Sequence, residues 1–129
     1  MIVADSSVWI DYFNGRPSRA AAELDRRLGI DAILIGDLIL AEVLQGFRHE
    51  RDVRRAHAAL DQLFFAAMVG KAVALAAARN YRVLRSKGVT VRGTVDILIA
   101  TFCIEAGHSL LYVDRDFDVI AQHLPLKII

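Results

Sequence analysis

Five carboxylates in this chain are candidates for shared chemistry, Asp5, Glu42, Asp96, Asp114 and Asp116, and the first three sit where carboxylates are hard to explain as solvated surface. Asp5 closes the apolar run Ile2-Val3-Ala4. Glu42 lies inside LILAEVLQGF and has no clearly polar helix face around it. Asp96 is the only charge between Val95 and Ile104. An ionised carboxylate in apolar surroundings costs several kcal/mol unless a cation or strong donors compensate it. A helix cap or an ion pair would explain any one of them, but three in so short a chain call for a common cause. Asp114 and Asp116 follow in VDRDFD, directly after the apolar run SLLYV. No lysine or histidine adjoins any of the five. Oxygen-only donors select Mg²⁺ or Mn²⁺ rather than zinc. Such an ion, with phosphate oxygens completing its shell, suits hydrolysis of a phosphodiester.

Bringing these acids together requires elements that deliver them to one place. Ile2–Ala4 reads as a buried strand of a parallel sheet, too short for a helix and too apolar for a half-exposed strand. Further strands are expected at Ala32–Ile35, Phe64–Val69 and Ser109–Val113, with an edge strand at Leu126–Ile129. Helices are expected over Ser6–Asn14, Arg19–Leu28, Leu38–Phe47, Arg51–Leu63, Lys71–Ser86, Val95–Ala106 and Phe117–His123. Ser6, Ser7, Ser18, Asp37 and Thr94 are read as N-terminal caps, and Gly29, Gly88 and Gly107 as stops. Strands alternating with helices imply a three-layer α/β/α domain with a central parallel sheet of four to five strands. Residues 1–129 form one domain on this reading, with no repeats and no linker. In a doubly wound sheet the first strand is central and the chain crosses it before forming the fourth. Asp5 and Asp114 then face each other in the crevice at the carboxyl ends of those strands. Asp96 and Glu42 can reach the same crevice from their helices.

Composition narrows the classes further. Apolar residues make up 55% of the chain, and the mean hydropathy is +0.38. Some apolar surface is therefore expected to meet a second copy or another protein. Every apolar run is interrupted by charge before it reaches the length of a membrane span. Met1 leads straight into a strand, without a basic segment or cleavage site, so a cytoplasmic location is expected. The lone Cys103 excludes an internal disulfide framework and cysteine-based zinc sites. Net charge is +1 from 16 basic and 15 acidic residues. Gathering five acids in one pocket leaves the remaining surface basic, which favours a polyanion. A GC-rich genome explains the arginine content equally well.

DSSVWIDYFNG, the isolated Glu42, Asp96 in DILIA and DRDFDVIA together resemble the PIN-domain family, and within it VapC-type toxins of bacterial toxin–antitoxin pairs. The resemblance runs over nearly the whole chain, in order and at matching spacing. It implies that Asp5, Glu42, Asp96 and Asp114 are the catalytic and metal-holding acids, with Asp116 accompanying them. It implies RNA cleavage with Mg²⁺, for which Mn²⁺ can substitute, on tRNA or ribosomal RNA. It also implies inhibition by a small VapB-like antitoxin, and a homodimer. Ser6 falls on the hydroxyl residue that follows the family's first acid. Tyr112 departs from the threonine common in relatives; it alters the pocket wall and removes no carboxylate.

Other residues carry weaker signals. The segment Arg79–Arg92 is basic enough to track an RNA backbone. Arg92, close to Asp96, is its best candidate for substrate phosphate, and Arg115 lies between two of the acids. Ser6 and Thr94 could orient carboxylates or water, though capping explains both. The four histidines are scattered and read as surface or loop. Cys103 reads as core, and Trp9, Phe13, Phe64 and Phe65 as core or interface. Two rival functions remain. A phosphatase or phosphoacceptor on another doubly wound fold would want a second aspartate where Ser7 stands, or a late lysine better placed than Lys127. A non-catalytic RNA-binding scaffold would not need the full acid set.

Overall fold

In a computed structural model describing residues 1–129, the element order is β1 (Ile2–Ala4), α1 (Ser6–Phe13), α2 (Arg19–Arg27), β2 (Ile33–Gly36), α3 (Asp37–Gln45) and α4 (Glu50–Leu60). It continues with β3 (Phe64–Ala66), α5 (Gly70–Ser86), α6 (Thr94–Ala106), β4 (Ser109–Leu111), α7 (Asp116–His123) and β5 (Lys127–Ile128). The five strands form one sheet in the order β3-β2-β1-β4-β5, and every pairing is parallel. The chain steps outward from β1 through β2 to β3, then returns to lay β4 against the other side of β1. Right-handed crossovers put the helices before and after that reversal on opposite faces of the sheet. Contacts of α1 with α2 and α3, and of α6 with α5 and α7, agree with this division. The result is a three-layer α/β/α fold with seven helices and a parallel five-stranded sheet.

The inner strands are apolar because both of their faces are covered. All residues of β1 and β2 are buried. All of them but Gly36 belong to one core of 27 residues that also includes Trp9, Leu24, Ile39, Leu84, Ile99, Cys103, Leu110, Phe117 and Ile120. Trp9 stacks on Phe13 with ring centroids 5.8 Å apart. Phe64 and Phe65, on edge strand β3, are 58% and 60% exposed. That removes the core alternative for this pair.

Several local expectations need correction. Ser6 and Ser7 do not cap α1; Asp5 is its N-cap residue, without a side-chain cap bond, and Ser6 is already helical. Asp37 is the first residue of α3. Its Oδ1 accepts from the backbone N–H of Leu38 at 2.9 Å and of Met68 at 3.0 Å, tying the end of β2 to the chain after β3. Thr94 opens α6 after Gly93 and makes no cap bond. Ser18 does cap α2, accepting from the Ala21 N–H at 3.0 Å. Strand β4 stops at Leu111, two residues short of the expected Val113. Its partner β1 ends at the pair Ala4–Leu111, where Asp5 turns away into α1. Gly107 ends α6 at φ +74°, a conformation that glycine adopts without the penalty a side chain brings.

Candidate active site

Asp5 sits at the seam where the sheet reverses direction. Its N–H donates to the Leu111 carbonyl at 2.9 Å, and its own carbonyl accepts from Val8 at 3.0 Å as α1 begins. The residue thus belongs half to the strand and half to the helix, and its side chain emerges at the carboxyl end of β1. It is 5% exposed and the only charged residue in the buried set. The Ser7 hydroxyl donates to its Oδ2 at 2.9 Å. Burial pushes the Asp5 carboxyl above its ordinary range; bonds from Ser7 and from the Ser6 and Ser7 backbone oppose this, and the charge on Asp114 adds to it.

Glu42 comes from the second turn of α3, a helix whose inward face is set by Ile39 and Val43. One of its oxygens, Oε1, is buried without a hydrogen-bond partner. Burial raises its pKa, the Ser6 hydroxyl opposes the shift, and the charge on Asp5 reinforces it. Asp96 lies in the first turn of α6. Its carboxyl is raised to about 6, first by burial and then by Asp5, Asp114, Glu42 and Asp116 in that order. Every other acid of the set is therefore close enough to disfavour its ionisation.

Asp114 and Asp116 arrive from the segment joining β4 to α7. The Asp116 N–H donates to Asp114 Oδ1 at 2.9 Å. One carboxylate oxygen each from Asp96, Asp114 and Asp116 lies within 4.8 Å of the other two. The ion pairs of the protein join Arg16 to Asp11, Arg26 and Arg27 to Glu23, Arg27 to Asp31 and His57 to Asp61. None involves the five acids. Like charges held this close repel one another unless a cation intervenes. Oxygen-only donors, an orphaned buried carboxylate oxygen and the lack of a side-chain cation together fit a hard divalent ion.

The other sequence candidates are placed less decisively. Ser6 lies between the two deeper acids, its backbone toward Asp5 and its hydroxyl toward Glu42. Thr94 is exposed at the start of α6, and Arg92 is exposed in the turn before it. Arg115 is exposed next to Asp114 and makes no ion pair there. Two side chains were not singled out as site residues by sequence: Ser7, through its bond to Asp5, and Asp118, which accepts from the Tyr112 hydroxyl. A hydroxyl two residues after a lone strand-end aspartate was the available signal for Ser7. Cys103 is buried, its thiol pushed up to about 12 mainly by burial, and it behaves as core.

Fold and acids together define a doubly wound α/β protein with a carboxylate-lined crevice at the switch point between β1 and β4. The PIN domain family profile matches residues 2–122. Ribonuclease VapC11 of Mycobacterium tuberculosis is 37% identical over 128 residues, covering 95% of this chain and 92% of the relative. VapC ribonuclease Mb1587 of Mycobacterium bovis matches to the same extent. Among solved structures, VapBC2 from Rickettsia felis bound to a promoter DNA fragment superposes with a TM-score of 0.77 at 19% identity, covering 100% of this chain and 98% of that one. FitAB bound to DNA gives 0.79 at 15% identity, covering 100% and 94%. The chain belongs to the PIN-domain family, and within it to the VapC-type ribonucleases.

Proposed function

We propose that this chain is a cytoplasmic, Mg²⁺-dependent endoribonuclease, the toxic component of a type II VapBC-like toxin–antitoxin pair, neutralised by a cognate VapB-like antitoxin. The observation that carries the mechanism is the meeting of Asp96, Asp114 and Asp116 oxygens within 4.8 Å, with Asp5 and Glu42 beside them and no side-chain cation among them. Asp5, Asp96, Asp114, Asp116 and Glu42 are assigned as the metal-holding residues. Mn²⁺ substitutes for Mg²⁺ in this oxygen-only set. When bound, the ion supplies a water of lowered pKa and positive charge toward the scissile phosphate.

The chain's own residues do the rest. Ser7 holds Oδ2 of Asp5 and so fixes the orientation of that carboxylate at the carboxyl end of β1. The unpartnered Oε1 of Glu42 is suited to take the proton from the attacking water; a positioned base contributes typically 10²–10⁴-fold. Arg92 and Arg115, both exposed and without an ion-pair partner, are assigned to substrate phosphates, with Ser6 and Thr94 at the rim. Attack by water leaves a 5′-phosphate and a 3′-hydroxyl. The substrate class is a tRNA or ribosomal RNA loop, where a single strand can enter an acid-floored crevice.

Two observations support partners. Three of the solved structures that this fold resembles are VapBC or FitAB assemblies on DNA, which favours an antitoxin partner. Phe64, Phe65 and Leu75 are exposed, which favours further apolar contact, including a homodimer. No helix is long and apolar enough to cross a membrane. The test is incubation of purified protein with total RNA, with and without Mg²⁺, followed by mapping of new ends. Discrete cuts with 5′-phosphates are expected with Mg²⁺ alone; undiminished cutting in excess EDTA would overturn the mechanism.

A further inference from the structure

We infer that Tyr112 and Asp118 form a clasp that positions Asp114 and Asp116 for the divalent ion, so that metal affinity depends on a hydroxyl that touches neither ion nor substrate. This rests on the assignment of those aspartates to the metal. The segment that carries them lies outside the sheet. The last ladder pair of β4 with β1 is Leu111 with Ala4, so the chain leaves the sheet just before Tyr112. Helix α7 begins only at Asp116. Asp114 is exposed and Asp116 half-buried, so packing alone does not hold either carboxylate. The Tyr112 hydroxyl donates across this segment to Asp118 Oδ1. Its ring meets Phe117 edge-on, centroids 5.9 Å apart at 63°, and Phe117 is fully buried.

Tyr112 therefore grips the first turn of α7 twice, through a buried ring and through a carboxylate, on either side of the connection that bears the two acids. Inside the closed segment, the Phe117 N–H donates to the Asp114 carbonyl at 3.2 Å and the Asp118 N–H to the Arg115 carbonyl at 3.0 Å. With Asp116 N–H on Asp114 Oδ1, these bonds set the two carboxylates relative to each other. The clasp sets both relative to the sheet, and hence to Asp5 and Asp96. A threonine at position 112 has no ring to reach Phe117 and is too short for the same span, so this tie is a feature of the tyrosine.

The test is a Mn²⁺ titration of the purified full chain, following free Mn²⁺ by electron paramagnetic resonance, with circular dichroism confirming the fold. Tyr112→Phe keeps the ring against Phe117 and removes only the hydroxyl. It is expected to weaken Mn²⁺ binding about tenfold, the lower end for partners that orient metal ligands. Asp118→Asn and Asp118→Ala both remove the charge, but only the asparagine side chain still accepts the bond and keeps the clasp. The Asp118→Asn variant is therefore expected to bind Mn²⁺ more tightly than Asp118→Ala, and this difference to vanish in the Tyr112→Phe background. A merely structural tie would lower Tm in Tyr112→Phe and leave Mn²⁺ affinity within about twofold of the parent, which would overturn the clasp alone. Absence of Mn²⁺ binding by the parent chain would overturn both the clasp and the metal assignment.

Discussion

At the scale of single residues, the three deeper acids announced themselves through their neighbours. Asp5, Glu42 and Asp96 interrupt apolar stretches, and that anomaly is visible in any one sequence. Asp114 and Asp116 have no such contrast and were legible only through the VDRDFD segment and the family it resembles. The bonds Ser7–Asp5 and Tyr112–Asp118 depend on side-chain rotamers and on where the backbone turns, which local sequence does not specify. The raised pKa of Asp96 has a direct consequence for stability. Its folded-state value of about 6 exceeds the ordinary 3.8, so the folded protein binds this proton more tightly than the unfolded chain does. The associated stability is fully present below the ordinary value and is lost as pH rises through about 6. Without metal, Asp96→Asn is therefore expected to raise Tm at pH 7 while abolishing cleavage and Mn²⁺-induced stabilisation. Scanning calorimetry of both proteins in EDTA checks it; a lower Tm for the variant at pH 7 would count against crowding among the acids. Glu42→Gln is expected to stay folded and lose at least about 100-fold in cleavage rate, as for removal of a positioned base. Single-turnover kinetics at saturating Mg²⁺ measure this.

At the scale of elements, the alternation of strands and helices was readable because each strand is a short apolar run closed by a breaker. Ile33–Gly36 and Ile2–Ala4 are buried along their whole length, which is what a parallel strand covered on both faces requires. Boundaries were less readable, for physical reasons particular to each. Strand β4 ends early because its partner runs out, a property of pairing rather than of the residues Tyr112 and Val113. Ser6, Asp37 and Thr94 look like caps by type, but the backbone enters each helix one residue sooner, so none of the three is the N-cap residue. Ser18 has the extended conformation a cap needs and uses it. Ser18→Ala is expected to cost about 1 kcal/mol of stability, the usual worth of such a cap, and to leave cleavage unchanged because α2 contributes nothing to the crevice. Urea unfolding and an RNA cleavage assay side by side test both halves.

At the scale of the whole molecule, the crevice exists because the chain reverses at β1. Helices leave β1 and β4 on opposite faces, and the gap between them is the place where acids from four distant segments can meet. The sequence reading placed β1 at the centre with β4 beside it, and the sheet has the order β3-β2-β1-β4-β5. Arg92 precedes Asp96 by four residues and Arg115 lies between Asp114 and Asp116, both exposed, in a chain of net charge +1. Cleavage of RNA is accordingly expected to show a KM that rises with ionic strength, with a weaker salt dependence in Arg92→Gln and little change in kcat. The most direct measurement is anomalous diffraction from crystals soaked in Mn²⁺. A peak bounded by Asp5, Asp96 and Asp114, with Glu42 and Asp116 at its edge, is the expected result. A crevice that stays empty at saturating Mn²⁺, or manganese bound only elsewhere, would contradict the claim that divalent metal reconciles these charges.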